Sequence, residues 1–176
     1  MKADEILKNY AAGVRDFTAV NLSEADLKGA DLSGAILNQA ILDGANLSQA
    51  NLAQTSLVEA DLNGANLSDA NLTGSNLGGA ILDGAILDGA NLDGANLSQA
   101  NLTIAKLIQA NLSEAELHET NLQAANLDGA DLSGADLSVA DLSQANLNQA
   151  DLSAANLSGA NLEGANVEGT ILDENS

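Results

Sequence analysis

LDGAILDGANLDGANL, residues 82–97, sets Leu82, Leu87, Leu92 and Leu97 five residues apart, and that period decides the fold. An α-helix turns about 100° per residue, so successive leucines would step about 140° around its axis and no apolar face would form. Glycines at Gly84, Gly89 and Gly94, each costing about 1 kcal/mol in a helix interior, count further against a helix. A flat strand fails because an odd period puts successive leucines on opposite faces. Asp-Gly ordinarily marks a hairpin, yet no alternating run lies between these turns for a hairpin to use. What remains is a strand of about three residues, with Ala inward, Asn or Asp outward and Leu inward, followed by a two-residue corner. If each corner turns the chain through about a right angle, four units close a square, and squares stack about 4.8 Å apart with their backbone groups paired.

Outward from this stretch, Leu stands at every fifth position from Leu22 to Leu172, thirty-one repeats in which Val167 is the only substitute. Two places before each sits Ala, replaced by Val20, Thr55, Ser75, Thr120 and Thr170. Small Ala alternating with large Leu fills a narrow tube without aromatics. Thirty-one repeats at four to a coil make an all-β solenoid of just under eight coils, a rod of roughly 38 Å. Gly closes only some of the units, while Gln, Glu, Asp, Ala, Ile and Val close others, which predicts that positive φ is not required at every corner.

The pattern A-[DN]-L-x-x, from Val20-Asn21-Leu22 to Thr170-Ile171-Leu172, resembles the pentapeptide-repeat family and covers nearly the whole chain. The resemblance implies a right-handed quadrilateral β-helix. The opening EILKNYAAGVRDF is similar to the helix and Asp-Phe step that often precede such repeats. Asp4 and Glu5 suit a helix N-terminus, Ile6, Leu7 and Tyr10 share one side, and Gly13 suits the stop. The expected organisation is a capping helix in 1–15, a repeat β-helix in 16–174 and a tail at 175–176. Phe17 keeps the register and enters the core.

Composition narrows function. Net charge is -20, with 25 Asp+Glu against five Lys+Arg, while 45% hydrophobic content gives the chain a core to fold around. Such a surface repels nucleic acid and anionic membranes and attracts basic protein surfaces, and with aromatics at 1% there is no stacking platform for bases. Without cysteine there is neither a disulfide framework nor a thiolate metal site. MKADEILKNY lacks an apolar signal core, so a cytoplasmic protein is expected.

No catalytic triad, nucleotide loop or metal cluster is readable, so the expectation is a non-enzyme without cofactor or metal. His118, flanked by Glu116 and Glu119, reads as a solvated side chain, and Asp-Gly at Asp43, Asp83, Asp88, Asp93 and Asp128 lacks the remaining spacing of calcium-binding repeats. On a square coil the acids spread over all four sides: six with Leu22, five with Leu27, seven with Leu32 and five with Phe17.

The function expected is a protein-interaction or structural rod with an unknown protein partner. The alternative comes from the resemblance: some pentapeptide-repeat proteins are DNA mimics that bind type II topoisomerases such as DNA gyrase. Ile81, Ile86, Ile104 and Ile108, with Lys106 among them, cluster around one edge of the rod as a candidate partner contact. Against that reading, Ile36, Ile41 and Ile171 show that Ile drifts into outward places elsewhere. Val167, Ile171 and Leu172 close the last coil and form a candidate end-to-end contact for a homodimer, which Asp173 and Glu174 discourage.

Overall fold

A residue that must alternate inward and outward every five positions can satisfy its backbone only by pairing with another coil, and the period of that pairing is twenty. In the computed structural model, which describes residues 1–173, parallel bridges join each residue before a core Leu to the one twenty later, from Asp16↔Ile36 to Asn146↔Asn166. Glu174 and the tail expected at 175–176 lie outside the described residues. Two ladders run along the axis. Leu22 N–H donates to the Ile41 carbonyl at 2.7 Å, and Ile41 N–H donates to the Val20 carbonyl at 2.8 Å.

The sides are shorter than the three-residue strands expected. Each pairs through one bridge residue, because its Leu and the next Ala are drawn into the corner: Ala25 N–H closes onto the Leu22 carbonyl at 3.0 Å, and Ala30 N–H onto Leu27 at 3.0 Å.

The corners overturn a second expectation. Positive φ occurs at the last place of every repeat from Ala19 to Gly169, whether that residue is Gly, as at Gly84 (62°), or Gln, as at Gln49 (61°). Together with the closing hydrogen bond this is the signature of a type II turn, whose third residue must be left-handed. Glycine adopts that conformation without steric cost. Elsewhere the axial hydrogen bond holds a side-chain-bearing residue in it, as when Gln49 N–H donates to Ser68 at 2.8 Å.

Leucine and alanine fill the lumen. Leu32 through Leu152 are at most 1% exposed, and Phe17, at 4%, takes the first central place that its register predicts. Thr55, Ser75, Thr120 and Thr170 are buried where Ala otherwise stands. Thr55 Oγ1 donates to the Leu52 carbonyl at 2.7 Å and Thr120 Oγ1 to Leu97 at 2.8 Å, whereas Ser75 Oγ has no hydrogen-bond partner among the described residues. Ser75→Ala is therefore expected to stabilise the protein by about 1 kcal/mol, read as a raised thermal midpoint, because an unsatisfied buried hydroxyl is replaced by the residue this position otherwise carries.

Helix α1 (Ala3–Ala11) covers one end of the rod. Glu5 accepts the Lys2 N–H at 3.4 Å and Gly13, at φ 94°, ends the helix with its N–H on the Tyr10 carbonyl and that of Val14 on Asn9. Ile6 is fully buried in the core cluster, and Leu7 and Tyr10 pack against it. The edge carbonyls of the first coil find donors here: the Met1 amino group reaches Asn21 at 2.8 Å and the Tyr10 hydroxyl reaches Ser33 at 2.7 Å. Arg15 stacks on the Tyr10 ring at 3.8 Å and donates to its carbonyl at 2.8 Å.

Candidate functional site

The described residues enclose no cleft, and no three of their His, Cys, Asp or Glu side chains gather as a metal-binding group. What the described residues present to a partner is the outer surface of the coils.

The outward Asn or Asp before each Leu has a local task. Its Oδ1 accepts the amide two residues on, pinning the corner: Asn21 from Ser23 at 3.0 Å, Asp141 from Ser143 at 2.9 Å, Asn146 from Asn148 at 3.2 Å. Amides also link the coils, as Asn161 Nδ2 donates to Asp141 at 3.1 Å and Asn146 Nδ2 to Asn126 at 2.9 Å. Asn and Asp serve the turn equally, yet Asp16, Asp26, Asp31, Asp61, Asp131, Asp136, Asp141 and Asp151 carry charge there. Hydroxyl and then amide donation by Thr18, Ser138 and Ser143 hold Asp16, Asp136 and Asp141 below the ordinary carboxylate range. At Asp31 and Asp151 the amides of Ser33 and Ser153 are the largest cause of the same lowering.

The isoleucine edge sorts into two kinds of residue. Ile81, Ile104 and Lys106 are exposed, whereas Ile86 and Ile108 are half-buried, and Ile86 bridges Lys106 in the next coil. Lys106 cannot cap its own corner, and Asp88 of the preceding coil does so instead, accepting the Ile108 N–H at 2.9 Å. Asn38 performs the same service for Val58 at 3.0 Å, where Ser56 has replaced the usual Asx. Ile104 has no such account. Its φ is 51°, it is 57% exposed, and its Cδ1 lies over the bare backbone of Gly84.

Val139 is the residue that sequence reasoning missed. With φ 61° and 55% exposure, its Cγ2 lies over Gly159. Among the described residues Ile104 and Val139 are the β-branched side chains with positive φ, a strain of about 1–3 kcal/mol each. A β-branched residue in the last place of a repeat was the available signal, invisible while positive φ was not expected at every corner.

Of the end contact, Ile171 is 65% exposed and Val167 and Leu172 are half-buried, as are Leu157 and Leu162 of the same coil. The N–H groups of Leu157 and Leu162 have no coil beyond them among the described residues. His118 pairs its Nε2 with Glu119 at 3.3 Å and its Nδ1 with Ser138 Oγ at 2.9 Å, while Glu116 bridges Asp136.

Charge is dense along the rod. Residues 16–173 contain 22 Asp+Glu against Lys28 and Lys106. Over roughly 38 Å that is one carboxylate per about 1.7 Å, the axial charge spacing of duplex DNA.

The sequence matches the family model described as Pentapeptide repeats, in 8 copies over residues 16–39, 40–79, 65–103, 105–138 and 135–173. It is 36% identical to HetL, a pentapeptide repeat protein involved in heterocyst differentiation regulation from the cyanobacterium Nostoc sp., over 100% of this chain and 99% of that one, with a TM-score of 0.49. It is 37% identical to a second pentapeptide repeat protein from Nostoc over 68% of this chain and 85% of that one, at a TM-score of 0.41. Identity to QnrB1, a plasmid-mediated fluoroquinolone resistance protein, is 19% over 91% of this chain and 92% of that one, at a TM-score of 0.47. No functionally curated protein matches.

Proposed function

Because this chain belongs to the pentapeptide-repeat family, we propose that it is a non-enzymatic acidic rod whose outer surface binds another protein, with the right-handed coil that the family resemblance implies. One observation carries the reading. At eight corners Asp stands where Asn makes the same hydrogen bonds, so the charge exceeds what the turns require. A surface built this way attracts a basic partner from a distance and loses that attraction as salt rises. The test is to replace those eight Asp by Asn, which preserves the corners and takes the net charge from -20 to -12, and to measure partner binding against salt.

A second reading is favoured by the axial charge spacing: the partner's basic surface is the DNA site of a type II topoisomerase such as DNA gyrase, occupied by the rod in place of a duplex. Supercoiling titrated with the protein separates the two readings, since only this one requires inhibition.

For self-association the described residues offer the coil closed by Val167, Ile171 and Leu172, where half-buried Leu157 and Leu162 would gain cover from a second copy. Light scattering over a concentration series is expected to show mass rising towards a dimer. A constant monomer mass removes the contact.

A further inference from the structure

Strain and exposure coincide at two places on this rod, and both border one side. Asn101, Asn121 and Asp141 stack in successive coils on the side that begins with Leu22, with Ile81 bridged to Asn101 before them. Ile104 stands at the corner leaving this side and Val139 at the corner entering it, about 8 Å apart along the axis by coil spacing. Each holds a left-handed conformation that glycine adopts freely, and each leaves more than half of an aliphatic side chain in solvent. Neither folding nor solubility is served, since Gly occupies the same place at Gly84 and Gly159 without strain.

We propose that Ile81, Ile104 and Val139 form an apolar diagonal across this side that docks a basic amphipathic protein segment, its aliphatic residues on the diagonal and its Lys or Arg against Asp83, Glu119 and Asp141. This deepens the acidic-rod reading and rests on it. Charge selects the occupant. A second copy laid along this side would bring one net -20 surface against another, whereas a basic segment meets carboxylates at both ends of the diagonal. The amides of Asn101 and Asn121 between them present donors and acceptors to a passing backbone.

The probe is a short fluorescent peptide of alternating Lys and Leu, with alternating Lys and Ser as its equal-charge control, and binding is read by anisotropy at low salt. The Leu peptide is expected to bind the wild-type protein about tenfold more tightly than the Ser peptide. In the double variant I104G/V139G that preference disappears while the thermal midpoint rises, because glycine relieves the corners. I81N, which places at 81 the residue found at 101 and 121, weakens the preference without unfolding the coil. Equal binding of both peptides to the wild type, or an unchanged preference in the glycine variant, overturns the docking diagonal and leaves the acidic rod standing. If neither peptide binds at all, both readings are overturned.

Discussion

Leu92→Ala is expected to cost about 3 kcal/mol of unfolding free energy in urea denaturation, whereas Leu157→Ala costs about 1 kcal/mol or less. Leu92 is fully buried, with coils on both sides. The lumen around it consists of leucine and alanine side chains, and the backbone that positions them is held at 2.7–2.9 Å by axial hydrogen bonds such as Leu92 N–H to Asn111 and Gly94 N–H to Ser113. A coil tied this closely cannot contract to fill the space of a lost isobutyl group, so a cavity persists and adds to the lost transfer free energy. Among the described residues Leu157 faces a coil on one side only, and it is half-buried, so its truncation removes less buried surface and leaves a void open to water. In a solenoid each coil contacts its neighbours alone, so a break at Leu92 uncouples the two halves while a defect at Leu157 frays one end. Equal costs at both positions would mean that stability is not set by the stacked leucines.

The five-residue period fixed the architecture because only one backbone path keeps every Leu and Ala inward, and the twenty-residue bridge spacing follows from it. Phe17 was readable for the same reason: register is a matter of counting. The corners were not. The rule that positive φ calls for glycine fails at Gln39, Glu59 and Asp69, where the axial hydrogen bond of the coil imposes a conformation the isolated turn would resist. Nor did sequence show what the outward Asn and Asp do, because an Asx Oδ1 on an amide two residues later is local geometry, and solvent exposure explained the residue type equally well. The candidate surface was half-readable. Ile81 and Ile104 stood out as departures from the pattern, while Val139 looked like one more substitution in a variable place, and only the positive φ of that place makes a β-branched residue there costly.

Neutralising the corner carboxylates is expected to weaken electrostatic recognition about tenfold or more while sparing the fold. With Asp16, Asp26, Asp31, Asp61, Asp131, Asp136, Asp141 and Asp151 all changed to Asn, each Oδ1 remains to accept its turn amide, as Asn66 accepts from Ser68 at 3.0 Å. The inter-coil amide ladder also survives, since Asn71 Nδ2 donates to Asn51 Oδ1 at 3.2 Å as readily as Asn51 Nδ2 donates to Asp31 at 3.0 Å. Two like-charge stacks are relieved as well, Asp131 on Asp151 and Glu116 on Asp136. The thermal midpoint should therefore hold or rise. If the rod displaces a duplex, wild-type protein inhibits gyrase supercoiling, the inhibition weakens with added salt, and the neutralised protein needs about tenfold more or greater to reach the same effect. The remaining 14 carboxylates of residues 16–173 leave one per about 2.7 Å over the same length, well short of the duplex spacing. Inhibition that survives neutralisation would locate recognition in shape or in the aliphatic side chains instead of charge. If the wild type leaves supercoiling untouched, the DNA-mimic reading falls, and the apolar diagonal across Ile81, Ile104 and Val139 becomes the surface on which a partner must be sought.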